Sequence, residues 1–169
     1  MGSADEHLSP RQHAMLTTQH WIVVLVSALT VVACVIVHYE ALRLISRFLP
    51  KPHHHERRGV VYLILCLLVV HMAEIWLFGF VNFILIQREG FGALVGLGDA
   101  TLFNTIYYSA MVYTTVGFGD IVPEGPIRFS AGMEGITGLT MIAWSASFTF
   151  LTMTRNWSNN GNGDERGEE

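Results

Sequence analysis

No charged side chain interrupts the run from Trp21 to Val37, and two further stretches, Gly59 to Ile86 and Phe129 to Thr154, are nearly as free of charge. A backbone placed in hydrocarbon must satisfy its own amides, which makes a helix the default for such a run. At about 1.5 Å per residue the first run is roughly 25 Å long, and the second, at roughly 42 Å, must tilt or protrude. The third lies between Arg128 and Arg155 and holds a single acid, Glu134. Of the 169 residues 14% are charged, against about 25% in a soluble domain. With 51% hydrophobic residues a disordered chain is excluded, and a net charge of −4 argues against a nucleic-acid binder. Cys34 and Cys66 lie within the runs and match no disulfide framework or zinc spacing.

The basic residues set an orientation. Arg43, Arg47, Lys51, Arg57 and Arg58, five of the ten in the chain, stand around the first connection, which is therefore expected on the cytoplasmic side. The N-terminus and the segment from Gln87 to Arg128 are then outside and the C-terminus inside. A secretory leader is the alternative for the first run. The 20 residues before it carry one Arg, two acids and no small-residue cleavage site, so a retained helix is expected. The chain divides into an external tail 1–20, a first membrane helix 21–48, a basic linker 49–58, a unit 59–154 and a tail 155–169. The first helix is expected to end in an amphipathic stretch, His38 to Phe48, lying along the inner membrane surface. The polar, acidic tail reads as disordered. Its Asn-Trp-Ser sequon at 156–158 would go unused on the inside.

The outer segment carries the information. Ala100 to Val112 (ATLFNTIYYSAMV) is apolar enough to enter a membrane yet spans only about 20 Å as a helix, too short to cross it. Asp99 stands in the N-cap position. A short helix followed by an irregular glycine-bearing run, set between two spans, describes a re-entrant loop, which survives at membrane depth only when buried in protein or lining water. The run is Thr114-Thr115-Val116-Gly117-Phe118-Gly119-Asp120. Gly117 and Gly119 can take positive φ at little steric cost. Carbonyls of Thr115, Val116, Gly117 and Phe118, with the Thr115 hydroxyl, can then form stacked rings of oxygen that replace the water around a cation, given four chains. A nucleotide-binding loop is the rival, but no third glycine, no GKS/T and no preceding strand accompanies it. A tight turn between helices explains neither the short helix nor the spans.

The run Thr114–Asp120 resembles the signature of tetrameric potassium channels, with Phe118 in place of the more usual Tyr. Tyr107-Tyr108-Ser109 stands where that family has an aromatic pair and a small residue, and Pro123 falls at the usual place after the filter. Arg128, Glu134, Gly138 and Ala143-Trp144-Ser145-Ala146 resemble the inner helix of small bacterial members. The likeness covers about Gly59 to Met153. It implies a homotetramer with ion sites at Thr115, Val116, Gly117, Phe118 and Gly119, supported by Thr114, Tyr107, Tyr108, Met111, Val112 and Asp120. In many relatives a Tyr at 118 and a Glu at 111 make polar ties behind the filter. Phe118 and Met111 cannot, so both ties are expected to be missing.

His71, Glu74 and Glu134 are ionisable at membrane depth, which marks function or a polar network holding the chains together. A metalloprotease is excluded, since HMAE lacks the second histidine of HExxH. Gly132, Gly135 and Gly138 permit close helix approach, and the family resemblance makes Gly138 a possible gating hinge. His53-His54-His55 with Arg57 and Arg58 suits contact with anionic lipid, and could sense pH or metal. The expected protein is an all-α membrane protein: three transmembrane helices, a re-entrant pore helix and a filter loop, four copies around one pore. It would conduct K⁺ passively across a bacterial plasma membrane, with no catalytic residue and no cofactor beyond the permeant ion. The rivals are a non-conducting sensor or regulatory subunit, a weakly selective cation channel, and an intramembrane hydrolase offering only His71 and Glu74.

Overall fold

The computed structural model describes residues 10–48, 56–96 and 98–164. Four helices carry the fold: α1 (Pro10–Phe48), α2 (Glu56–Ile86), α3 (Leu102–Tyr113) and α4 (Ile127–Asp164), with two short strands, β1 (Ala93–Val95) and β2 (Val122–Glu124). Three segments, Thr18–Phe48, Gly59–Ile86 and Ile127–Thr154, are long and apolar enough to cross a membrane. The chain is an all-α membrane protein. Leu25, Leu29, Val32 and Ile36 on α1, and Leu65, Leu68, Val69 and Met72 on α2, turn outward and exposed. Helices apolar on every face are built for a surrounding as apolar as their own core.

Boundaries differ from the sequence reading at both ends. α1 starts at Pro10 rather than Trp21, because proline at a first helical position has no amide to leave unpaired. α4 continues to Asp164, beyond Thr154. Once a long helix exists each added residue gains a hydrogen bond without a new nucleus, so Arg155–Asp164 is helical where a disordered tail was expected. The linker 49–55 and the last five residues, with the His53–His55 tract, lie outside the described residues.

Packing runs in three tiers. Val23, Leu85, Leu94, Tyr108 and Ile127 fill one end; Cys34, Ile75, Phe78, Ile106, Tyr113 and Met141 the middle; Leu42, Ile45, Leu63 and Leu67 the other end. The last tier corrects the expectation for His38 to Phe48. This stretch continues α1 without a break, and its apolar stripe, Leu42 and Ile45, packs on α2 and on Phe148 of α4. Protein, not a membrane surface, covers the stripe. α3 lies in the cradle of α2 and α4. Its cap is Thr101, whose hydroxyl accepts from the Asn104 amide at 3.3 Å, and not Asp99. The Asp99 carbonyl instead accepts from the Thr101 amide and from Asn104 Nδ2. β1 and β2 pair antiparallel, Ala93 opposite Glu124 and Val95 opposite Val122. They tie the approach to α3 to the segment that follows the Thr114–Asp120 loop.

Candidate ion-conduction site

The loop begins where α3 ends. The amide and hydroxyl of Thr114 both donate to the Ala110 carbonyl, the Thr115 amide donates to Val112 at 3.0 Å, and the Gly117 amide reaches back to Met111 at 3.1 Å. The N–H edge of the loop is therefore folded onto the last turn of α3. Thr115, Gly117 and Gly119 have φ of 59°, 51° and 78°, while Val116 and Phe118 keep negative φ. Carbonyls of an ordinary extended segment alternate between faces; a left-handed residue at every second position cancels the alternation. Among the described residues no hydrogen bond ends on a carbonyl of Thr115 to Gly119. Thr115 is the exception to steric rules here, since positive φ in a β-branched residue is disfavoured by roughly 1–3 kcal/mol and concentrates at functional sites. Val116 and Phe118 are exposed, Phe118 at 71%. Behind the loop a cavity of about 30 Å³ is lined by Tyr107, Met111, Val112, Gly117 and Phe118, room for about one water.

One polar tie holds the far end. The Tyr107 hydroxyl donates to Asp120 Oδ2 at 2.9 Å, and this bond raises the phenol above its ordinary value. Neither Phe118 nor Met111 makes a side-chain polar tie, as expected; Asp120 instead finds a different partner, Tyr107, one turn before Met111. Gly138 presses α4 against α3. A Cβ there would stand 2.0 Å from the Tyr113 carbonyl oxygen, so the glycine permits a close approach at the root of the loop.

The ionisable residues divide into two clusters. His38 Nδ1 lies 2.9 Å from Glu74 Oε1 and His71 Nδ1 lies 3.1 Å from Glu74 Oε2. The Tyr113 hydroxyl donates to the same Oε2. Ser145 Oγ lies 3.1 Å from His71 Nε2 and 3.4 Å from His38 Nε2. This cluster joins all four helices. Glu134 belongs to a separate one: Asn82 Nδ2 donates to Glu134 Oε2 at 2.9 Å and to Ser109 at 3.2 Å, and Ser130 donates to Asn82 Oδ1 at 2.8 Å. His71 and Glu74 meet as the sequence suggested; Glu134 does not join them.

The family model for ion channels matches residues 60–155, more than half of the chain. The chain belongs to the ion channel family. No curated protein and no solved structure matches it. The matched region spans α2 to α4 and leaves out α1, so the channel carries a helix beyond the family's unit. That helix supplies His38, which sequence reasoning missed. Its signal was present, since His38, Leu42 and Ile45 fall at helical spacing on one face. Asn82, Tyr113 and Ser130 were passed over as well, and Ser109 and Ser145 were read only for their place in the family pattern. Each is a common polar residue until its neighbours across the channel are known.

Proposed function

We propose that the channel conducts K⁺ passively and selectively, through a pore that four copies line with the Thr114–Asp120 loops. The carrying observation is the alternation of positive φ at Thr115, Gly117 and Gly119 directly after α3, which leaves a row of carbonyls free to replace the hydration of a cation. Thr115, Val116, Gly117 and Phe118 would supply backbone oxygen, and Thr115 its hydroxyl as well. The C-terminal end of α3 carries a partial negative charge toward the same place. Exposure of Val116 and Phe118 in a single chain fits a loop that is covered only on assembly. In this reading α3 is the pore helix, α2 the outer and α4 the inner helix, and α1 lies at the periphery. The proposed setting is the plasma membrane, N-terminus outside, with the basic linker on anionic lipid.

The test is flux from liposomes holding purified protein. K⁺ and Rb⁺ should pass far better than Na⁺, and Ba²⁺ should block. Cross-linking should give a ladder that ends at four chains. Equal K⁺ and Na⁺ flux through well-folded protein, or a ladder ending at two, overturns the proposal. For the orientation, Ser9→Cys should react with an impermeant maleimide from outside the cell and Ser158→Cys should not.

A further inference from the structure

We propose that His38, His71 and Glu74 form a site for one divalent transition-metal ion of the zinc class, with the Tyr113 hydroxyl oxygen as fourth ligand. One donor atom from each of the three lies within 4.8 Å of the others. Tyr113 Oη is 3.1 Å from His71 Nδ1. Ligand atoms around a tetrahedral zinc, with bonds of about 2.0–2.1 Å, stand roughly 3.4 Å apart. The present spacings, 2.9 Å from His38 Nδ1 to Glu74 Oε1 and 3.1 Å from His71 Nδ1 to Glu74 Oε2, are each close to that edge, with the two carboxylate oxygens facing one ring apiece. Side-chain shifts of the order of 1 Å would close the set on an ion.

The proton count is compatible with an ion. With both rings donating from Nδ1 to Glu74, both Nε2 atoms are acceptors, and both face the one hydroxyl of Ser145. A hydroxyl has one proton to give, so with both rings neutral one ring nitrogen is unmet, a mismatch that a proton on one ring or a bound ion resolves. A metal reverses both rings. Each Nδ1 lone pair goes to the ion, each Nε2–H donates, and Ser145 Oγ has two lone pairs to accept them. Ser145 thereby becomes the outer partner that orients metal-ligating histidines. Two imidazoles select a transition metal over calcium or magnesium, which prefer all-oxygen shells. The Glu74 carboxylate supplies negative charge, and Tyr113 is the last residue of α3, where the helix dipole favours a cation. The side chains of His38 and Glu74 are fully buried, and His71, at 15% exposed, offers the way in. An ion held here would fasten α1 and α2 to the residue that leads into the loop.

The experiment uses the full chain in detergent, carrying His53→Ala, His54→Ala and His55→Ala to remove an unrelated histidine tract. Co²⁺ is titrated by its visible absorption, then displaced by Zn²⁺. One tetrahedral Co²⁺ per chain is expected, lost in His38→Gln and in Glu74→Gln. Ser145→Ala, which keeps every ligand, should weaken binding about 10–100-fold. No such signal, or one that survives His38→Gln, overturns the site. If the ligand variants do not fold, Ser145→Ala decides, and unchanged affinity overturns it. Binding is read without ion flux, so it stands or falls independently of potassium selectivity.

Discussion

The Tyr107 hydroxyl donates to the Asp120 carboxylate at 2.9 Å, joining the middle of α3 to the residue that closes the loop. Among the described residues this bond is the one side-chain brace between α3 and Asp120, and it sits near the surface, where Tyr107 is 39% exposed. Tyr107→Phe removes it and leaves the ring in place. Faster loss of current in low external K⁺ and more Na⁺ leak are expected, read as liposome flux. The pH dependence has a definite sign. The carboxylate raises the phenol above its ordinary value of 10.0, so the brace is fully present below that value and is lost as pH rises through the higher, folded one. Alkaline loss of selectivity should therefore be steeper in the parent than in Tyr107→Phe.

Phe118 and Val112 face the small cavity behind the loop. Phe118→Tyr with Val112→Thr would place two hydroxyls there, each hydrogen bond adding about 0.5–1.5 kcal/mol net per chain. Slower inactivation and tighter K⁺/Na⁺ selection should follow. A folded double variant indistinguishable from the parent would show that apolar packing suffices.

Gly138→Ala sets a Cβ 2.0 Å from the Tyr113 carbonyl oxygen, whereas at Gly132 nothing lies within 4 Å. The first change should lower stability by about 1–3 kcal/mol, as overpacking does, and Gly132→Ala should leave the fold of the chain intact. Thermal unfolding followed by circular dichroism separates them. A Gly138→Ala protein with unchanged unfolding and altered opening would identify a hinge instead of a contact.

Asn82→Leu removes the one side chain that binds Ser109, Ser130 and Glu134 together. Buried polar groups left without partners cost about 1–3 kcal/mol each. Unfolding should shift by at least that much, and a variant as stable as the parent would mean that water replaces the amide.

The legible parts of this channel are local ones. Uncharged runs mark α1, α2 and α4 because a bilayer demands length and apolarity within one segment. Gly117 and Gly119 announce an unusual backbone through their own chemistry. What escaped depends on the chain meeting itself. Tyr107 and Asp120 are 13 residues apart, and His38 reaches Glu74 across 36; no periodicity links such pairs. β1 and β2 have three residues each, too short for alternation to register. Asp99 looked like a cap because it is acidic and precedes the helix, yet Thr101 lies closer to the turn and takes the role.

The pairing of Ala93–Val95 with Val122–Glu124 has a practical side. It clasps the chain on both flanks of α3 and the loop, and the Asp99 carbonyl holds the start of α3, so Gly98 just before it lies in an open connection. A Cβ added at Gly98 would meet nothing within 4 Å beyond its chain neighbours. Added length in an open connection is cheap, each doubling costing only about 0.6 kcal/mol. An epitope, a fluorophore site or a small binding module spliced after Gly98 would ride on the channel without bending it, which makes this position the natural handle for immobilising, imaging or recruiting the protein.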